Sequence, residues 1–452
     1  MVIEAITRSV AAFPDLPLVT PELDQLQGRD GAFAHAILDA VHRRWLTLRY
    51  ILSGFSSRPW DAIEPRVRAV LLSGAAQLLL LDRVPAHAAL DQSVRYAKAR
   101  VRSAAGGMVN AVLRRVSEQV GERGERPDDW AQRRDLLVLP AGGAVALRDP
   151  LLPGDWTQRL SVQTSIGVAV LERWAERFGP ERTAQIALKA VAPAPTVLHL
   201  GALETRAPDL VARGLAQPHA RRGSVVWTAD RAALVETLAQ PGIWAQDPAS
   251  SHVVETLRSL AKARGRTPRL IVDLCAGQGT KTRQLRAAFP ASELIACDVD
   301  DARLRALARA LAGDPRALVV HADRVEEALA GRRADLVLLD VPCSNSGVLA
   351  RRVEARYRLT RANVEQLVDL QRRILDKGRS LLDADAWLVY STCSIEAEEN
   401  EQQALWFAAQ SGSKVIHEEQ TLPEGLPGGA ATVACDGSFV VIFERRAKPS
   451  AG

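Results

Sequence analysis

The strongest constraint on the fold lies in residues 251 onward, where short apolar runs alternate with longer amphipathic stretches. The runs are LIVDLC (270–275), ELIACDVD (293–300), ALVVHADR (317–324), ADLVLLDVPC (334–343) and AWLVYSTCS (386–394). Between them lie helix-like segments such as TRQLRAAF, DARLRALARAL and VEQLVDLQRRILDKGRSLL. Strands that are apolar on both faces, alternating with helices, predict a mostly parallel sheet covered on both sides. The closing segment TVACDGSFVVIFERR, with Asp436-Gly437 at its turn, predicts a hairpin on the edge of that sheet.

Each run ends in a polar or reactive residue: Asp273, Asp298, Asp323, Asp340 and Cys393. Ligands of doubly wound sheets bind beyond the carboxyl ends of the strands, so this succession marks a candidate site. A single aspartate there would mean little, because Asp is a common turn residue. After the first run, CAGQGTKT supplies Gly277 and Gly279, where backbone can approach a ligand. Asp298 follows Asp273 by 25 residues, about the spacing at which nucleotide folds offer a carboxylate to ribose hydroxyls. Asp323, in HADR, is set to meet an adenine amino group. These turns point to an adenosine-containing cofactor, either a dinucleotide or S-adenosylmethionine.

The cysteines separate those two. Cys275, Cys297, Cys343, Cys393 and Cys435 are odd in number and have no metal-ligand spacing, which argues against a disulfide framework and a metal site. Cys297 and Cys435 read as packing within apolar strands, and Cys275 adjoins the glycine turn. Cys343 and Cys393 instead sit in polar turns after apolar strands. A nicotinamide-dependent dehydrogenase leaves that pair unexplained. Methylation at C5 of a pyrimidine needs a nucleophile at C6, and a thiol, a few per cent ionised near neutrality, serves well. IEAEENEQQALWF predicts a helix starting just after Cys393, whose positive end favours a thiolate; Glu396, Glu398 and Glu399 oppose that charge and complement the same helix end.

The first ~120 residues read as helices, with apolar residues at three- and four-residue intervals in GRDGAFAHAILDAVHRRWLTLRYILSGF and WDAIEPRVRAVLLSGAAQLLLLD. RYAKARVRSAAGGMVNAVLRR carries Arg95, Lys98, Arg100, Arg102, Arg114 and Arg115 without an acidic residue, either a nucleic-acid-facing surface or a solvated face. Residues 121–150 break into a linker or ordered connection. Residues 151–250 mix a helix over VQTSIGVAVLERWAERF with short strands in TVLHL, RGSVVWTA and PGIWAQD. A chain of 452 residues calls for two or three domains at roughly 100–200 residues each. A net charge of +5 suits a polyanionic partner. No stretch reaches the ~18 apolar residues of a membrane span, and MVIEAITRSVAAFPDLP lacks the pattern of a signal peptide, so the expected location is cytoplasmic.

DLCAGQGTKT, DVDDARL, HADR, LLDVPCSNSGV and VYSTCSIEAEEN, in this order and spacing, resemble the Sun/Nop family of RNA (cytosine-5) methyltransferases. RDGAFAHAILDAVHRRW, LLLLDRVPAHAALDQSV and GMVNAVLRRV, within 29–116, resemble the NusB-like RNA-binding domain of its bacterial small-subunit ribosomal members, and GIWAQDPASSHVVETL matches their lead into the catalytic domain. The resemblance implies a multidomain chain: an all-α NusB-like domain over 1–125, a linker and small α+β RNA-binding unit over 126–250, and an α/β Rossmann-like class I methyltransferase domain over 251–446.

It also implies roles. Cys393 is the nucleophile and Cys343 assists breakdown of the enzyme–RNA adduct. Asp340 hydrogen-bonds the target base and borders the cofactor, and Lys281 lies near the reacting groups. Cys275, Ala276, Gly277, Gln278, Gly279, Thr280 and Lys281, with Asp298 and Asp323, hold S-adenosyl-L-methionine. The implied partner is RNA, foremost small-subunit ribosomal RNA, with no metal, membrane or obligate protein partner. Two features depart from the family: its first turn is closer to CAAPGGKT, and after the PC turn it runs SGTG and an RRHPD-like segment. Here the chain has SNSGVLARRVEARYRL, whose Arg351, Arg352, Arg356, Arg358 and Arg361 are expected to face phosphates. A transfer-RNA cytosine methyltransferase and a non-catalytic RNA-binding or assembly factor are the alternatives.

Overall fold

A computed structural model of the chain describes residues 1–17, 23, 25–26, 28–201, 206–240 and 242–445. The described residues fall into two compact units. One comprises 1–193 with two later segments, 349–360 and 426–429; the other comprises 194–348, 361–425 and 430–452. The stretch 126–250 therefore divides at residue 193. No helix among the described residues is long and apolar enough to cross a membrane.

The first unit is built on helices Val2–Ala12, Gly28–Arg43, Trp45–Phe55, Pro65–Leu80, Ala86–Arg100 and Ser103–Gln119. Pro65 stands in the first turn of its helix, where its missing N–H costs nothing. That helix is buried along most of its length, and Val70, Leu71, Ala75 and Leu79 form the middle of the core. The connection expected over 121–150 is an antiparallel sheet of β1 (Val120–Glu125), β2 (Leu136–Val138) and β3 (Gly143–Leu147), ordered β1-β3-β2. The single helix expected over 162–178 is two, Trp156–Thr164 and Val168–Phe178. Ser165, at φ 58°, takes the left-handed conformation that ends the first, and Gly167 precedes the second.

Arg356 is the main departure from the sequence reading. It does not face phosphates; it is 2% exposed and donates to the carbonyls of Arg43, Thr164, Ala190 and Leu349 at 2.9–3.1 Å. Tyr357 beside it donates to the carbonyl of His42 and accepts from the Trp45 amide. An arginine run shows basic character but not which member turns inward.

The second unit holds two sheets. The smaller, antiparallel and ordered β5-β6-β4-β7, comprises β4 (Val197–His199), β5 (Ala216–Pro218), β6 (Ser224–Trp227) and β7 (Trp244–Ala245). The larger has seven strands: β8 (Leu270–Asp273), β9 (Glu293–Asp298), β10 (Ala317–His321), β11 (Ala334–Asp340), β12 (Leu382–Thr392), β13 (Lys414–Thr421) and β14 (Ser438–Glu444). Their order is β10-β9-β8-β11-β12-β14-β13, parallel through β12, with β14 alone running antiparallel to both its neighbours, β12 and β13. The apolar runs are continuous because both faces are covered. Val337 and Leu339 of β11 join one core with Leu388 and Tyr390, while Leu336 and Leu338 join the other with Trp387 and Val389. The last segment is not an edge hairpin: β14 lies inside the sheet, between β12 and β13. The edge on this side is β13, KVIHEEQT, whose exposed and half-exposed positions need little apolar character.

Candidate active site

Strand order reverses between β8 and β11, since β9 and β10 extend one way and β12 the other. That switch point leaves a crevice at the carboxyl ends, where Asp273 closes β8, Asp298 closes β9, Asp340 closes β11 and Thr392 closes β12. β10 ends at His321, and Asp323 follows in a short 3-10 turn, 85% exposed.

The loop after β8 is held from two sides. The Ala276 amide donates to the Cys297 carbonyl, and the Gly277 amide donates to Asp298 Oδ2 at 2.8 Å. Asp298 Oδ1 accepts from the Asp300 amide at 3.0 Å. Gly277 and Gly279 have φ of 58° and 89°, the region that favours glycine. A Cβ on Gly279 would meet Leu307 at 2.7 Å, whereas one on Gly277 would meet nothing within 4 Å. Open space thus lies beside Gly277 on a loop braced by Asp298. Cys275 is pushed well above the ordinary thiol range by burial and by the Asp273, Asp340 and Asp298 charges, so it remains a thiol.

Asp340 joins three elements. It accepts from Lys281 Nζ at 2.8 Å and from Ser391 Oγ at 2.9 Å, linking the helix Thr280–Ala288 and β12. Burial pulls the Lys281 ammonium down, but the charge and hydrogen bond of Asp340 outweigh it, with Cys393 adding to the effect, and its pKa stands above the ordinary value. Lys281 is therefore a fixed cation within electrostatic reach of Cys393.

The two cysteine turns converge. Cys343 follows β11, Cys393 follows β12, and their sulfurs lie 3.2 Å apart. Cys393 is half-buried and Cys343 is 9% exposed. The hydrogen bond to Cys393, then burial, raises the Cys343 thiol well above its usual range. The two sulfurs thus form one hydrogen-bonded pair in which either can be the donor. Asn345 bridges the turns: Oδ1 lies 3.2 Å from Cys393 Sγ, and Nδ2 donates to the Cys343 carbonyl at 3.0 Å. Its φ of 61° suits asparagine, which enters the left-handed region more readily than most side chains. The sequence reading missed Asn345 and Ser391; the asparagine that replaces the family's small residue after PCS was the available signal for the first.

The helix expected immediately after Cys393 begins only at Glu401, with residues 394–400 forming a turn. Its N-terminus is thus not adjoining the thiol in sequence, and Glu396 and Glu399 are buried within that turn instead of complementing the helix end.

A parallel sheet of this order with an inserted antiparallel strand, and a glycine loop and strand-end carboxylates at its switch point, defines a Rossmann-like methyltransferase of class I. Residues 260–424 match the family model of the 16S rRNA methyltransferases RsmB/F, and residues 8–118 match that of the NusB family. A ribosomal RNA small subunit methyltransferase B from Xanthomonas campestris pv. campestris is 28% identical over 92% of this chain and 89% of its own length. In fold, the chain resembles the crystal structure of PH0851, with a TM-score of 0.71 and 18% identity over 98% of each chain. It also resembles a methyltransferase homolog protein from Pyrococcus horikoshii, with a TM-score of 0.50 and 23% identity over 64% of this chain and 98% of that one. The chain thus joins a region that matches the RsmB/F methyltransferases to an N-terminal region that matches the NusB family, in the same arrangement along nearly the full length of that relative.

Proposed function

We propose that this chain methylates C5 of a cytosine in small-subunit ribosomal RNA, through a covalent bond between Cys393 and C6. The observation that carries the reading is the pair of thiols on adjacent strand ends, 3.2 Å apart, with the Lys281–Asp340 pair in electrostatic reach. S-Adenosyl-L-methionine supplies the methyl group when bound. The glycine loop 275–281 with Asp298 and Asp323 suits that cofactor, because the loop leaves open space beside Gly277 and Asp323 is free of cover.

The Cys393 thiolate forms a bond to C6, and the C5–C6 electron pair makes C5 nucleophilic. Asp340 hydrogen-bonds the base on its polar edge, and Lys281 holds that carboxylate in place. C5 takes up the methyl group. A water then takes the C5 proton, the C5–H electron pair restores the double bond as the Cys393 sulfur departs with the electron pair of its bond to C6, and the Cys343 thiol is the proton donor nearest that sulfur. The target base must be unstacked to let a sulfur reach C6. Phosphate contacts come from the helical region that matches the NusB family, whose helices Ala86–Arg100 and Ser103–Gln119 carry Lys98, Arg100 and Arg115 beside the ion-paired Arg95 and Arg114.

The test is incubation of the wild type and Cys393→Ala with methyl-labelled S-adenosylmethionine and unmodified small-subunit RNA, followed by nucleoside analysis. Label in 5-methylcytidine with the wild type and none with the variant is expected. Equal label with both removes Cys393 as the nucleophile, and label only when transfer RNA is supplied replaces the substrate.

A further inference from the structure

Glu399 is fully buried, at 0% exposure, and accepts four hydrogen bonds. Oε1 accepts from the Ser344 amide at 2.8 Å and from Gln371 Nε2 at 2.9 Å. Oε2 accepts from Ser344 Oγ at 2.5 Å and Ser394 Oγ at 2.6 Å. None of these donors is a cation, and a buried carboxylate without one is costly. Burial accordingly pushes its pKa up while the four donors pull it back.

The identity of the donors explains what such an acid does here. Ser344 directly follows Cys343, and Ser394 directly follows Cys393, so both cysteine turns are tied to one carboxylate through the neighbouring residue. The two serine hydroxyls lie 3.2 Å from each other, and Ser346 Oγ meets Ser394 Oγ at 3.1 Å. Gln371, on the helix Arg361–Leu381, also donates to the Pro342 carbonyl at 3.0 Å, so the carboxylate is anchored to the helix that covers the sheet. We propose that Glu399 is a positioning residue of the two-thiol site, clasping the Cys343 and Cys393 turns at the separation at which their sulfurs act together. Only its catalytic consequence rests on the cytosine-methylation reading; the clasp itself does not.

Phenylarsine oxide tests the clasp without RNA or cofactor, because it condenses with two neighbouring thiols to form two As–S bonds and release one water. The wild type is expected to hold one bridged arsenical against excess monothiol, read by intact-protein mass spectrometry. Cys343→Ser and Cys393→Ser are expected to lose it. Glu399→Ala and Glu399→Asp, the latter too short to reach both turns, should retain it about 100-fold less well, the scale expected of ångström misplacement. Glu399→Gln should stay near wild type, since its amide offers oxygen to the two N–H donors and N–H to the serine hydroxyls. The methylation assay gives a second reading: a lower kcat with unchanged KM in Glu399→Asp, restored in Glu399→Gln. Bridging by Glu399→Asp as tight as the wild type, or no bridging in the wild type, overturns the clasp. Absent methylation by the wild type with bridging intact overturns the functional reading alone.

Discussion

Asp273 is a carboxyl where water does not reach: it is fully buried, Thr282 Oγ1 donates to Oδ2 at 2.7 Å, and Oδ1 has no protein partner. Burial raises its pKa to about 7, opposed by the Thr282 hydrogen bond and reinforced by Asp340. An acid whose folded pKa exceeds its unfolded value stabilises the fold fully below the unfolded value, and that contribution is lost as pH rises through the folded one. Between about pH 4 and 7, Asp273 thus costs the wild type up to ~4 kcal/mol, an order-of-magnitude figure from the shift off its ordinary 3.8. Asp273→Asn should therefore gain stability relative to the wild type as pH rises from 5 to 8. Denaturant unfolding of both proteins at the two values checks this, because other titrating groups cancel in the difference. A difference independent of pH would mean that the carboxyl is ionised throughout.

At the scale of elements, the junction behind Cys393 is a backbone crossing. The Gly347 amide donates to the Cys393 carbonyl, and the Gly347 carbonyl accepts from the Gly437 amide. A Cβ on Gly347 would meet the Cys393 carbonyl oxygen at 2.7 Å and the Gly437 Cα and carbonyl oxygen at 2.9 Å. All three are main-chain atoms, so nothing flexible can give way. Gly347→Ala should cost about 1–3 kcal/mol of stability and lower methyl transfer. Gly54→Ala, in an open position of the helix Trp45–Phe55, should stabilise by about 0.5–1 kcal/mol, and unfolding curves of the two variants check the opposite signs. This junction also marks how far the sequence was legible. The five parallel strands and both cysteine turns could be read because apolar runs and their abrupt polar ends are local signals. Ser391 and Glu399 could not, since their partners lie roughly 50 residues away and come together only through strand register. β13 was missed because its half-exposed residues carry no apolar alternation.

Over the whole molecule, the chain does not complete its helical unit in one pass. Residues 349–360 return to it from beyond the Cys343 turn, and Arg356 is the residue by which they are held. Burial lowers its pKa to about 10, so it stays charged at neutral pH, and its fork of N–H groups satisfies carbonyls of three separate earlier segments. Each buried carbonyl left without a donor costs about 1–3 kcal/mol, though such costs do not simply add. Arg356→Ala should therefore destabilise this unit by at least ~3 kcal/mol, and Arg356→Lys should recover little, because a single ammonium cannot reproduce the planar fork. Hydrogen exchange checks the prediction locally. Amides of the helices Trp45–Phe55 and Trp156–Thr164 should lose protection in the variant, while those of β8 and β11 keep theirs. Unchanged protection in both helices would mean that their packing against the apolar core alone holds the unit, with the later segment merely laid upon it.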